Sequence, residues 1–209
     1  MSTRTTCVWR NPTIRTIFSP VKHNPIVLKG KAIHLRTIRK KDLDSIYDLM
    51  VDIESRGPWF PLNFDSESTF LEKYEKTGFW SDERGILLIV DNTTERVLGQ
   101  MVFFRASAYY DAFELGYQIY DPKDRGKGIT TDAVNTMVKY LFDWKPIHRL
   151  QLQLVGENIS SQRVAEKCGF RHEGTARAAV MGKGKPVDLE VYSITRADFE
   201  SLASVISDQ

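Results

Sequence analysis

Cysteine is nearly absent from this chain of 209 residues, where Cys7 and Cys168 are the two present. They stand far apart and outside any metal-ligand spacing, which argues against a disulfide framework and against a bound metal. So few thiols fit a reducing cytoplasm. No run approaches the ~18 apolar residues of a membrane span, and the polar N-terminus lacks the apolar centre of a secretory signal. Acidic residues are missing from the first 41 positions, which hold ten Lys and Arg. The whole chain carries only +2, so the remainder is net acidic.

What is present is the composition of a globular domain, with 42% hydrophobic and 27% charged residues. The length suits one domain with an extension. Residues 1–25, rich in Thr, Ser, Pro and Arg and without a period, are expected to form a basic N-terminal extension; residues 26–209 form the domain. The extension reads either as an arm that touches a ribosome, RNA or an acidic partner, or as a solvated tail.

Periodicity divides the rest. Residues 32–39 alternate as a strand, and Asp42 is expected to cap a helix with Leu43, Ile46, Tyr47 and Met50 on one face. The Gly57-Pro58-Trp59-Phe60-Pro61 stretch breaks it, and a second helix starts at Asp65 or Ser66. Strands follow at 85–91, 97–106 and 112–120. A helix spans 126–143, a strand 149–155, a helix 159–168, two strands 171–181 and 187–194, and a closing helix 198–206. A hairpin run followed by βαβ elements predicts an α+β fold, a mixed sheet with helices on its faces.

The stretch ELGYQIYDPKDRGKGITTDA, residues 114–133, carries the chemistry. A strand ends at Asp121-Pro122, a basic loop with two glycines follows, and a helix begins at once. The first amides of a helix have no internal acceptors and the helix dipole favours an anion there. Gly126 and Gly128 let a ligand approach the backbone, and Arg125 and Lys127 add positive charge. The pattern suits a diphosphate. It is not a P-loop, because Gly128 follows Gly126-Lys127, and it is not a dinucleotide fingerprint, which requires glycine where Thr131 stands.

With this stretch and a second block, NISSQRVAEKCGF at 158–170, the chain resembles the GNAT superfamily of N-acetyltransferases, in particular the subgroup that includes the ribosomal-protein N-terminal (Rim-type) acetyltransferases. Arg125, Gly128 and Thr130 occupy the [QR]-x-x-G-x-[GA] signature, with Thr130 departing from Gly or Ala. The resemblance covers roughly residues 27–199. It implies a GNAT fold of about seven strands whose fourth and fifth are splayed apart, with acetyl-CoA as acyl donor and a primary amine as acceptor.

Several residue roles come from the resemblance. The Gln118, Ile119 and Tyr120 strand end pairs with the pantetheine, and the backbone of Arg125, Gly126, Lys127, Gly128, Ile129 and Thr130 holds the diphosphate. Asn158 bonds the pantetheine as well as capping the next helix. Ser161 protonates the leaving thiolate, and Arg163 reaches toward the phosphates. Glu114 is the candidate base for the acceptor amine; Glu157, His148 and His172 are weaker alternatives. Trp59, Phe60 and Trp80 are aromatic candidates for the acceptor site, and Lys183 and Lys185 for steering an acidic acceptor. Cys168 reads as a small buried residue, not a nucleophile.

The expected activity is acetylation of a protein or peptide N-terminus. The alternatives are acetylation of a small amine (an antibiotic, an aminoacyl-nucleotide or a polyamine) and a non-catalytic acyl-CoA-binding module. A monomer or a homodimer fits equally.

Overall fold

The computed structural model describes residues 26–53, 57, 59, 65–109, 111–182 and 184–207. The expected N-terminal extension lies outside them, as do Phe60 and Lys183.

Eight strands form one mixed sheet: β1 (Val27–Lys29), β2 (Ile33–Thr37), β3 (Arg84–Asp91), β4 (Val97–Arg105), β5 (Ala112–Ile119), β6 (Arg149–Val155), β7 (Arg171–Gly182) and β8 (Lys185–Thr195), in the order β1-β2-β3-β4-β5-β6-β8-β7. Every neighbouring pair is antiparallel except β5–β6, which is parallel. That pair is joined by α3 (Ile129–Trp144), the crossover that a parallel connection requires. The other helices are α1 (Leu43–Val51), α2 (Glu67–Thr77), α4 (Ile159–Lys167) and α5 (Arg196–Ser207).

The expected mixed sheet with helices on its faces is present. The eighth strand is β1, which three residues are too few to announce by alternation; it pairs with β2 from Val27↔Arg36 to Lys29↔His34. Asp42 does not cap α1 through its side chain. Its carboxylate instead accepts from both Arg36 Nη atoms, at 2.6 and 2.9 Å, and from the Arg39 amide at 2.8 Å. An ion pair taken out of water outcompetes a helix cap for the same oxygens.

Two cores lie on the two faces. One joins Leu35, Met101, Phe103, Leu115 and Ile119 to Val134, Met137 and Leu141 of α3. The other is smaller and joins Ile46 of α1 and Phe70 of α2 to Leu88 and Val90. Successive side chains of a strand point to opposite faces. Phe113, Leu115, Tyr117 and Ile119 of β5 therefore face α3 and α4, while Glu114, Gly116 and Gln118 face the side that α1 and α2 cover in part.

Candidate functional site

The parallel ladder between β5 and β6 is short. It runs through Ala112↔Arg149, Phe113↔Leu150 and Glu114↔Gln151 and then stops. Beyond it, β5 continues to Ile119 paired with β4 alone, and β6 continues to Val155 paired with β8 alone. The two strands part in a V whose apex is the Glu114–Gln151 rung. These are the fourth and fifth strands of the sequence reading, moved to fifth and sixth by β1.

The parting leaves backbone groups open. The Tyr120 amide donates to the Leu98 carbonyl at 3.0 Å, so the main chains of Tyr120 and, two residues earlier, Gln118 are turned toward β4. Those of Tyr117 and Ile119 face the V. Of the three strand-end residues expected to pair with an extended ligand, only Ile119 thus presents its backbone to the gap, and Tyr117 joins it. The Ile119 carbonyl is already contacted by the Arg125 guanidinium, through Nη2 at 3.2 Å and Nε at 3.4 Å.

Below the mouth of the V lies the turn at 125–131. The helix expected from residue 126 starts at Ile129, because Gly126 and Gly128 take φ of +74° and +81°, outside helical space. Apart from the adjoining residues, no atom among the described residues stands within 4 Å of where a Cβ would lie on either glycine. Among the described residues, no group accepts from the amides of residues 126–131; the first capping-type bond of α3 is Asp132 N–H to the Gly128 carbonyl, 3.0 Å. Asp132 does not fill this cradle. Its carboxylate reaches back to the amides of Lys31, Ala32 and Ile33 at 3.0, 2.7 and 3.3 Å. Lys127 Nζ lies 3.3 Å from Asp124. Asp124 also takes a 2.7 Å bond from Arg96, and these bonds hold its carboxyl below the usual carboxylate range. Open amides, two glycines with free space and flanking cations fit a diphosphate.

On the α4 side, Asn158 caps its helix as expected: Oδ1 accepts from the Ser161 amide at 3.2 Å and from Ser160 Oγ at 2.8 Å. Its Nδ2 has no partner among the described residues. Ser161 is half-buried, and its carbonyl lies 3.5 Å from the hydroxyl of Tyr117. Burial pushes that phenol up to about 12. Tyr117 is a hydroxyl beside the V that sequence reasoning missed; its period-two position on β5 was the available signal. Arg163 is exposed. Cys168 is buried and its thiol is pushed up to about 12 by that burial, in keeping with a packing role.

On the opposite face the apex rung is polar. Glu114 Oε2 accepts from Gln151 Nε2 at 2.8 Å. Burial raises the Glu114 carboxyl above the ordinary range, and the Gln151 bond opposes that in part. The register continues the row sideways: Arg84↔Phe104 on β3–β4, Phe104↔Glu114 on β4–β5, and Gln151↔Ser193 on β6–β8. The Arg84 guanidinium lies 6.0 Å from the centre of the Phe104 ring. Further along the same face Gln118 is buried, and its Nε2 has no hydrogen-bond partner among the described residues.

Other candidates fall elsewhere. Trp80 is not brought to this face; it packs edge-on against Phe103 at 5.3 Å and near Tyr140 of α3 at 6.3 Å. Its ring fills the α3-side core, which removes it from an acceptor site beside Glu114. Trp59 is half-buried in the stretch between α1 and α2. His172 bonds Glu190 on the α4 side of the β7–β8 edge, and Glu157 and His148 are exposed. Lys185 is exposed at the start of β8. Among the described residues no cluster of His, Cys, Asp and Glu could hold a metal ion, and no helix is long and apolar enough to cross a membrane.

The family model of the acetyltransferase (GNAT) domain matches residues 32–171, more than half of the chain. The chain is 29% identical over 183 residues to the probable N-acetyltransferase YjcK of Bacillus subtilis, covering 83% of this chain and 99% of that protein. Among solved structures, spermidine N-acetyltransferase from Vibrio cholerae, in complex with CoA and spermine, superimposes with a TM-score of 0.71 at 21% identity, covering 80% of this chain and 98% of that one. Ribosomal-protein-S5-alanine acetyltransferase from Vibrio fischeri gives 0.68 at 22% identity, covering 83% and 98%.

Proposed function

Since the chain belongs to the GNAT acetyltransferase family and is an N-acetyltransferase, we infer that it moves an acetyl group from acetyl-CoA directly to the primary amine of a protein or peptide N-terminus. The donor supplies an activated acyl carbon; the chain supplies the rest. The amides of residues 126–131 bind the diphosphate. The backbone of Tyr117 and Ile119 takes the pantetheine as an added strand would, with Asn158 on the other side of the gap. Glu114, on the α1 face of the apex, takes the proton of the attacking amine, directly or through one water. Ser161, on the α4 face, returns a proton to the departing sulfur. Base and acid thus stand on opposite faces of one opening, which suits an amine that enters on one side while a thiol leaves on the other.

The observation that supports a peptide acceptor over a polyamine is the charge around Glu114. Among the described residues, the other carboxylate of its neighbourhood, Glu173, is held by Arg149 at 2.8 and 2.9 Å, and Arg84 stands further along the row. The Arg149–Glu173 pair is neutral as a unit, so a polycation would meet the Arg84 guanidinium and a single available carboxylate. A peptide terminus brings a single amine followed by neutral backbone. The Vibrio cholerae neighbour, a spermidine acetyltransferase by name, shares the fold, and fold alone does not select the acceptor.

The test is a panel of amines with acetyl-CoA, read by released thiol: short peptides with Ala, Ser and Met at the N-terminus, spermidine and spermine, and an aminoglycoside. A kcat/KM for at least one peptide about 100-fold above the polyamines is expected, on the scale of one or two unfavourable charge contacts. Preference for spermidine overturns the acceptor. Absence of turnover with every amine, together with tight CoA binding, returns the chain to an acyl-CoA-binding module.

A further inference from the structure

We propose that Gln151 is the positioning residue of the acceptor-side carboxyl: it orients Glu114 across the apex of the V and sets how readily that carboxyl gives up its proton. The proposal rests on Glu114 as base and adds the device that makes it one.

Gln151 is 2% exposed, on the rung directly opposite Glu114. Its Nε2 donates to Glu114 Oε2 at 2.8 Å, while its Oε1 lies 3.4 Å from Arg149 Nη2. That second contact fixes which way the amide points. Reversed, it would set a carbonyl oxygen against a carboxylate and an amino group against a guanidinium. Arg149 is itself clamped, with Nη1 and Nη2 on the two oxygens of Glu173, and Glu173 accepts from Ser193 Oγ at 2.6 Å. The chain Glu114–Gln151–Arg149–Glu173–Ser193 crosses four strands, β5, β6, β7 and β8.

The residue type at 151 matters. A lysine or arginine there would pair with Glu114 as an ion and hold it ionised but a poor base. An apolar residue would leave burial unopposed, and the carboxyl would be harder to ionise. A neutral amide gives one hydrogen bond to the ionised form and no charge, which suits a base that must accept a proton and release it again. The charged groups that face Glu114 from the neighbouring strands are Arg149 on β6, Glu173 on β7 behind it, and Arg84 on β3 beyond Phe104; β8 contributes uncharged Ser193. Gln151 bonds both Glu114 and Arg149, so it is a side chain that links the carboxyl to this arrangement.

The test combines Gln151→Met, which keeps volume and removes the donor, with Gln151→Glu, which sets a second carboxyl opposite the first. The Glu114 carboxyl is titrated by carbon-13 NMR, assigned by its loss in Glu114→Gln. The kcat/KM profile against pH is measured in parallel. Loss of one hydrogen bond to the ionised form raises the titration midpoint and the ascending limb by about one pH unit in Gln151→Met, and further in Gln151→Glu. Should Gln151→Met fail to fold, Gln151→Glu reads the same quantity. An unmoved Glu114 titration in the folded variants overturns the proposal. Undiminished activity of Glu114→Gln across pH overturns the base instead, and the NMR titration still decides whether Gln151 governs that carboxyl.

Discussion

The diphosphate turn and the apex of the V solve opposite problems. The turn at 125–131 must offer donors, so its chemistry is carried by main chain that the fold leaves without acceptors: two glycines at positive φ and the open end of α3. Side chains there are turned away from the cradle, Asp132 to the start of β2 and Lys127 to Asp124. On the proposed function the apex exchanges a proton, and its chemistry is carried by a side chain held in a bonded row, Glu114 on Gln151 on Arg149. On that proposal, one region binds by leaving groups unmet and the other reacts by meeting one group with measure. Arg125 joins them, because it belongs to the turn and its guanidinium grips the Ile119 carbonyl at the end of β5. On the proposed function, a ligand seated on the turn would thereby be registered against the strand that carries Glu114.

The difference is broken most sharply at the apex. Glu114→Gln keeps the shape and the rung but cannot take a proton. Its kcat/KM is expected to fall about 1000-fold, within the usual range for a general base, while calorimetry finds acetyl-CoA affinity unchanged. The sign of the pH effect follows from the burial of Glu114. Burial raises its folded carboxyl above the ordinary glutamate range, and a general base acts in its ionised form. Activity of the wild type therefore rises as pH climbs through that raised midpoint, and in Glu114→Gln that limb disappears. Full activity of the variant at high and low pH would remove Glu114 from the chemistry.

Gly128→Val is the converse change. A β-branched residue at φ of +81° is strained by about 1–3 kcal/mol, and its side chain occupies the space beside the open amides. The acetyl-CoA Kd is expected to rise about 10- to 100-fold because the side chain crowds the ligand's approach, a loss of about 1.4 to 2.8 kcal/mol of binding, with kcat at saturating donor altered a few-fold at most. An equal loss in kcat would mean that the turn and the apex are one mechanical unit.

The two regions also differ in how far they could be read without coordinates. The turn is contiguous: Asp121-Pro122 stops a strand, two glycines and two cations follow, and a helix starts, so its whole logic lies within about ten residues. The strands were legible for the same local reason. RLQLQLV alternates, and Arg149–Val155 is a strand. The parting of two strands came through the family resemblance; no local pattern carries it. Gln151 stood on the polar face of its strand in plain view, but its partner is 37 positions away. Periodicity assigns a face to a side chain and says nothing about the register between distant strands. Trp80 fails for a related cause. Its size made it a candidate for a pocket, and only the fold decides on which side of the sheet an aromatic ring is used, here against Phe103.

On the α4 side of the V two hydroxyls compete for the acid's role, and the variants separate them. Ser161→Ala is expected to lower kcat about 10-fold, at the modest end of acid–base effects because water can substitute for a hydroxyl. Tyr117→Phe, which removes a phenol that burial keeps protonated up to about 12, is expected to cost about 3-fold. Single-turnover rates check both. The reverse order would transfer the acid's role to Tyr117.

The smallest effect belongs to Lys127. It is exposed, and its 3.3 Å contact is to the buried Asp124 three residues away, which Arg96 bonds more closely at 2.7 Å. Asp124 keeps Arg96 when the lysine goes, so no carboxylate is left stranded. What Lys127→Ala removes is one exposed charge near the proposed diphosphate cradle, and a threefold rise in the acetyl-CoA Kd is about what a screened charge contributes. Added salt should erase the difference between variant and wild type, since at ~1 M the screening length is about 3 Å. A deficit that survives high salt would show that the lysine shapes the turn as well as charging it. The division between a cradle made of main chain and an apex made of side chains would then fail at its simplest point.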